Sequence, residues 1–447
     1  MKLTAAPLSA LALLVGACAH PSLPTPPSAP LSAESAVADH EARSLVDPAL
    51  RRFLLENTGQ ASAAWEFESL AWVGFYYHPS LAVARAQWAT TRAALQTAQA
   101  RPNPTISLVP GFNSSREPAV SPWFPSINFD FLFPNSGKRM HQAAIAAAES
   151  EAARLTVLSA AWQIRVDLRR ALCDAAASMG REQLLLPQAA IQQKILALLQ
   201  ARIAAGRVAV SEIAAARTGV IKLEAALAEA RGQTAAARIR VAVGLGLPVA
   251  ALGSLTLPKP PDSAPLKPAA LAEARRQSLR SRADVLAALV HYQSLQTSLQ
   301  LEVAKRQPDI HLGPGYQWDQ GTNKWSLSFT FELPLFHRNE GPLAEAAARC
   351  AEAAAQFSAV QSQAIAAVDL AVAALTSARR QSEQAAQLAA ELRRHADAAR
   401  RRLELGSADQ LELQTSLLEQ AVAETAALES AFALSLAAGQ LARKIHS

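Results

Sequence analysis

The chain has 447 residues, of which 50% are hydrophobic, 18% charged and 5% aromatic, with a mean hydropathy of +0.08. This is too apolar for a disordered chain, and the Ala-rich mixture with Leu, Gln, Arg and Glu suits long helices better than a compact α/β enzyme. The net charge of +6 comes from scattered arginines rather than a basic block, so no nucleic-acid partner is expected.

Met1-Lys2 is a short positive start, and Leu3 to Val15 is an apolar stretch too short to span a bilayer. It ends in Val15-Gly16-Ala17-Cys18, which resembles a bacterial lipobox. In that reading residues 1–17 are a lipoprotein signal peptide and Cys18 becomes the diacylated N-terminus. The alternative is an ordinary signal peptide cut near Ala17 or Ala19. Ala19 stands where an inner-membrane retention signal would carry Asp, which favours the outer membrane. Several acyl chains together anchor firmly, and the Pro- and Ser-rich stretch 19–33 reads as an extended tether.

Most of the remaining chain is written twice. Phe129-Asp130-Phe131-Leu132-Phe133-Pro134 recurs as Phe329-Thr330-Phe331-Glu332-Leu333-Pro334. Arg101-Pro102-Asn103-Pro104 recurs loosely as Lys305-Arg306-Gln307-Pro308, and Gly206 is matched by Gly406. An offset of about 200 residues is too long for a solenoid unit and indicates a duplicated module. Each copy reads helix, strand, strand, long helix, turn, helix. The first copy runs over about 62–101, 104–113, 124–133, 138–205 and 209–245, and the second over about 268–306, 309–318, 324–333, 342–405 and 409–445. In the first long helix Ile145, Ala148, Ala152, Leu155, Leu158, Trp162 and Val166 form one apolar stripe. Near the C-terminus Leu411, Leu418, Val422, Leu428, Phe432 and Leu436 form another. Pro187 is expected to interrupt or kink the first long helix. Six prolines between Gly244 and Pro268 separate the copies.

A helix of about 65 residues is about 100 Å long, and two helices of about 37 residues laid end to end match it. One long helix can therefore pair along its length with two short ones. In the strands, Asn128 and Asp130 alternate with Phe129, Phe131 and Phe133, and Ser326, Ser328, Thr330 and Glu332 alternate with Leu327, Phe329, Phe331 and Leu333. Such ten-residue strands fit a transmembrane β-barrel or a half-buried soluble sheet; the lipid anchor and the long rods favour the barrel. Phe129, Phe131, Phe329 and Phe331 are then expected to face lipid, and Asp130, Ser328, Thr330 and Glu332 the lumen. Four strands cannot close a barrel and an open edge cannot sit in lipid, so several chains must share one barrel.

This layout resembles the TolC-like outer-membrane factor family. The resemblance rests on Arg101-Pro102-Asn103-Pro104, on Phe133-Pro134-Asn135-Ser136-Gly137-Lys138-Arg139 and on Leu333-Pro334-Leu335-Phe336. It rests also on the two helix turns Gly206-Arg207-Val208-Ala209-Val210-Ser211-Glu212 and Gly406-Ser407-Ala408-Asp409-Gln410-Leu411-Glu412. The second turn departs from the family's tip motif by lacking a hydroxyl at the fifth place. The resemblance implies a mainly α fold with a membrane β-barrel portion: a homotrimer with a long helical tunnel and a twelve-stranded barrel. It implies residues 18–61 as tether and equatorial segment, 62–247 and 268–447 as the two repeats, and 248–267 as the Pro-rich equatorial linker.

The implied function is the outer-membrane duct of a tripartite efflux system. It passes drugs or heavy-metal ions from an inner-membrane pump of the RND type, through a periplasmic adaptor (membrane fusion) protein, to the outside. A type I protein-secretion duct and a lipid-tethered periplasmic coiled-coil scaffold are the alternatives. Arg202, Gly206, Ser211, Arg402, Gly406 and Asp409 are the expected adaptor-docking tips. Glu412, with Asp409 as its rival, is expected to line the aperture. No enzyme, cofactor or metal site is expected. The histidines form no HExxH or HxH pattern, there is no Walker loop or GxGxxG, and Cys173 and Cys350 read as packing residues.

Overall fold

The computed structural model describes residues 32–59, 65–114, 121–135, 137–204, 210–253, 255–258 and 271–446. Cys18 and Gly206 lie outside them. The fold is mainly helical, with one four-stranded antiparallel sheet. Its elements are α1 (Ala33–Glu41), α2 (Pro48–Thr58), α3 (Phe67–Tyr77), α4 (Pro79–Gln99), β1 (Thr105–Val109), β2 (Ser126–Phe133), α5 (Lys138–Ala204) and α6 (Val210–Leu245). After a short 3-10 turn at Val249–Leu252 come α7 (Leu271–Ser281), α8 (Ala283–Lys305), β3 (Ile310–Asp319), β4 (Thr322–Thr330), α9 (Glu340–Glu404) and α10 (Gln410–His446). The expected mainly α fold with a β portion is borne out.

The long helix α5 packs against α4 in one direction and α6 in the other; α9 does the same with α8 and α10. α5 also packs on α8 and α10, which joins the copies side by side. Pro187 removes one backbone donor but α5 runs unbroken through it, correcting the expected interruption. Neighbouring helices pack along both flanks of α5 and hold the ladder together around the gap.

The single helix expected before each hairpin is two helices. His78 is extended (ψ 125°) ahead of Pro79, because a residue preceding proline is driven out of the helical region. The same break recurs at Arg282 (ψ 128°) without a proline. There the Arg282 guanidinium grips Asp284 at 2.6 and 3.0 Å and donates to the Lys444 carbonyl at 3.4 Å. The expected stripe on α5 also shifts. Burial falls on Ala146, Ser150, Leu155, Ile164, Leu168 and Leu172, whereas Leu158 is exposed, because α5 meets several helices at different heights.

The main core lies half-way up the rods. Leu50, Leu54, Leu70 and Val73 from the N-terminal helices close on Leu168 and Leu172 of α5 and on Val241 and Leu245 of α6. Gly246, at φ +70°, ends α6 against the α3–α4 break. Arg43 staples this corner, donating to the carbonyls of Gly246 at 2.9 Å and Tyr77 at 3.3 Å. The Tyr77 hydroxyl donates to Asp47 at 2.7 Å; burial first, then that carboxylate, push its pKa up.

Candidate functional site

The structure has two ends with chemistry to examine. At one end stands the sheet, in the order β1-β2-β3-β4. Its register puts Ile127↔Tyr316, Phe131↔Leu312, Pro314↔Leu327, Leu312↔Phe329 and Tyr316↔Trp325 in pairs. One face is thus continuous and apolar. Near the β3–β4 turn it carries Tyr316 and Trp325 with ring centroids 4.9 Å apart, and Phe112 against Trp123 at 5.0 Å. The opposite face carries Asn128↔Gly315, Gly313↔Ser328 and His311↔Thr330. A side chain at Gly313 would meet Ser328 Oγ at 2.3 Å, and one at Gly315 Asn128 Oδ1 at 2.5 Å, so these glycines make room for polar neighbours. Phe129, Phe131 and Phe329 sit on the apolar face, and Asp130, Ser328 and Thr330 on the other. Phe331 and Glu332 are not in a strand. β4 stops at Thr330, opposite His311, although β3 itself begins one residue earlier at Ile310. Along their outer edges β1 and β4 have no partner strand among the described residues.

Two contacts tie the copies together here, and neither was anticipated from the sequence. His311 Nδ1 lies 3.0 Å from Asp130 across β2 and β3. Lys138 Nζ and the Asn135 N–H donate to Asp309 Oδ1 at 2.9 and 3.0 Å. Burial raises the Asp309 carboxyl, but the Lys138 ammonium and the Asn135 N–H outweigh it and hold it below the usual range. The Pro308-Asp309 step recurs from Pro104-Thr105, so the charge gained at this step was a usable signal.

At the other end α9 closes in a Schellman motif. Ser407 N–H donates to the Arg402 carbonyl at 2.9 Å and Gly406 N–H to Leu403 at 3.0 Å, with Gly406 at φ +72°. Asp409 then starts α10, its Oδ1 accepting from Glu412 N–H at 2.9 Å. The structure brings three of the expected tip residues and the expected aperture residue Glu412 into two ion pairs: Arg202 to Asp409 and Arg402 to Glu412, each at 2.6 Å. The Glu412 N–H and then Arg202 hold the Asp409 carboxyl below its ordinary range. His395, Asp409, Glu412 and Glu419 line an open cleft of about 410 Å3 beside them. Gly206 and the side chain of Ser211 fall outside the described residues. Among the described residues no three potential ligands cluster as a metal site.

Residues 77–247 match the family model of outer membrane efflux proteins. No curated protein matches the sequence. Among solved structures, the chain is similar to the outer membrane protein VceC from Vibrio cholerae, at 21% identity and a TM-score of 0.68, over 85% of this chain and 96% of that one. It is similar to a membrane protein from Pseudomonas aeruginosa at 20% identity and a TM-score of 0.69, over 85% and 90%. It is also similar to the outer-membrane channel OprN at 19% identity and a TM-score of 0.70, over 95% and 98%. The resemblance read from the sequence is borne out, and OprN is an outer-membrane channel.

Proposed function

We propose that this chain, an outer membrane efflux protein by the match of residues 77–247 and by its fold, is the exit duct of a tripartite efflux system. It assembles as a homotrimer whose twelve strands close one barrel in the outer membrane. The observation that carries this reading is the sheet: apolar on one face, polar on the other, with both outer edges unpaired among the described residues. Open edges are untenable in hydrocarbon, and neighbouring copies supply β1 for β4 around a closed ring. β3, of 10 residues, is ~33 Å long before tilt, enough for the apolar band of such a barrel.

Below it α9 and α10 each hold an apolar stretch that is only 17% buried in one chain, which fits Ala-rich helix faces covered by adjacent copies in a tunnel. The tips around Arg202, Gly206, Ser211, Arg402, Gly406 and Asp409 meet a periplasmic adaptor, and an inner-membrane pump loads the duct with drugs or metal ions. Cys18 carries the lipid. Cys18→Ser is expected to abolish acyl labelling and leave an unprocessed chain; continued palmitate labelling would show the lipobox reading to be wrong.

The test of the duct is conductance. Purified chain is expected to run as a heat-modifiable trimer and to form stable channels in planar bilayers. Monomers without conductance would favour the lipid-tethered scaffold instead.

A further inference from the structure

Two cavities lie at corresponding places in the two copies, each wedged between a strand end and the first turn of a long helix. The first, of about 410 Å3, is lined by Arg101 and Arg139 together with Phe131, Phe133, Pro134 and Met140. The second, of about 170 Å3, is lined by Lys305, Arg306, His337 and Arg338, with Glu332 and Pro334. Pro134 and Pro334 are equivalent in the repeat, as are the segments at Arg101 and Lys305.

The charge at these cavities is largely uncompensated. Lys305 pairs with Glu302 at 2.7 Å, and Glu332 offers one carboxylate to the second cavity. Arg101, Arg139, Arg306 and Arg338 make no ion pair among the described residues, although carboxylates are close by. Asp309 is occupied by Lys138, and Glu302 by Lys305 and Asn339. All four arginines are exposed. Apolar side chains line the first cavity beside Arg101 and Arg139, whereas prolines are the apolar lining of the second. Phe133 is 54% exposed, Met140 65% and Phe336 fully exposed. A charged fork beside exposed aromatics is costly to leave in water on one side and in hydrocarbon on the other. It is well matched to a boundary where an anionic phosphate meets acyl chains.

We propose that each cavity binds the phosphate headgroup of an anionic phospholipid in the periplasmic leaflet. The guanidinium forks take the phosphate oxygens, and at the first cavity Phe131, Phe133 and Met140 take the upper acyl chain. This rests on the barrel reading, which sets the ends of β2 and β4 at the membrane boundary. A trimer then carries six sites in a belt, two per copy, and the belt fixes the depth of the barrel in the bilayer.

The experiment uses the full chain purified in detergent and offered phosphatidylglycerol or phosphatidylcholine, with lipid retained per oligomer counted by native mass spectrometry. The parent is expected to retain phosphatidylglycerol about tenfold better. Arg101→Gln with Arg139→Gln, and separately Arg306→Gln with Arg338→Gln, are each expected to lower that preference several-fold. The corresponding lysine variants are expected to restore part of it. Planar-bilayer conductance, measured on the same samples, is expected to persist in all of them. Equal retention of both lipids by a conducting parent overturns the site and leaves the duct standing. A parent that neither conducts nor discriminates overturns both. Displacement of the retained lipid by millimolar inorganic phosphate overturns the lipid assignment in favour of a free-phosphate site, and unchanged preference in both glutamine variants overturns the assignment to these arginines.

Discussion

Replacing Gly246 by alanine tests how the mid-height core is locked. Gly246 has φ +70°, and a Cβ there would stand 2.8 Å from the Tyr77 carbonyl carbon and oxygen and 3.0 Å from His78 Cα. Those are backbone atoms, already held by Arg43 and by the turn into α4, so they cannot swing aside as a side-chain tip would. The left-handed backbone costs about 1 kcal/mol with any Cβ present, and forcing the corner apart adds about 2 kcal/mol. Gly406 is the internal control, because at φ +72° it carries the same backbone penalty but faces open space. At about 2 °C per kcal/mol for a chain of this size, Gly246→Ala is expected to lower the apparent Tm by about 6 °C and Gly406→Ala by about 2 °C. The measurement is far-UV circular dichroism of the full chain in detergent, at one fixed scan rate because membrane-protein unfolding is rarely reversible. Equal shifts in the two variants would refute the packing of α6 against the α3–α4 break as the source of the lock.

Three further outcomes are expected. Arginine on the apolar strand face costs most at mid-strand, so the loss of assembly in outer-membrane fractions should shrink from Leu327→Arg to Phe329→Arg to Phe331→Arg, the last lying just past β4, with about 2–4 kcal/mol at the first and under about 1 kcal/mol at the last. Thr330→Arg, on the polar face, should assemble and change conductance only; equal loss from both faces would refute the sidedness. Asp309→Asn should lower thermal stability at pH 7 by about 2 kcal/mol. Because the folded-state carboxyl is held below its usual range, its contribution is present above that range and lost as pH falls through the depressed value; parent and variant should therefore converge at acid pH once the carboxyl is protonated in both states, and a gap persisting there would exclude the Lys138 pair as its origin. Glu412→Gln should weaken the cation preference of single channels and reduce block by divalent cations from the periplasmic side, whereas Arg402→Ala, which releases Glu412 from its 2.6 Å pair, should strengthen both; unchanged selectivity in both variants would remove Glu412 from the aperture.

The amino-acid sequence by itself determined most of what depends on neighbours a few residues apart, the break at His78-Pro79 being an exception. Apolar spacing of three to four residues made the rods, alternation in twos made the strands, and Gly406 ended α9 because a glycine relieves the left-handed turn there. Duplication then implied two equal halves, and the length of α5 and α9 against their shorter partners implied how the rods lie. What only the tertiary structure decided are the places where distant segments set the outcome. The break at Arg282 carries no proline and exists because Asp284 and the Lys444 carbonyl hold the guanidinium; only the equivalent His78-Pro79 in the other copy hinted at it. The tip ion pair of Arg202 with Asp409 joins residues 207 positions apart, and Lys138 meets Asp309 across 171. Periodicity reports which face of an element is apolar, but a charge chooses its partner by distance in space, and that distance exists only once the two copies have folded against each other.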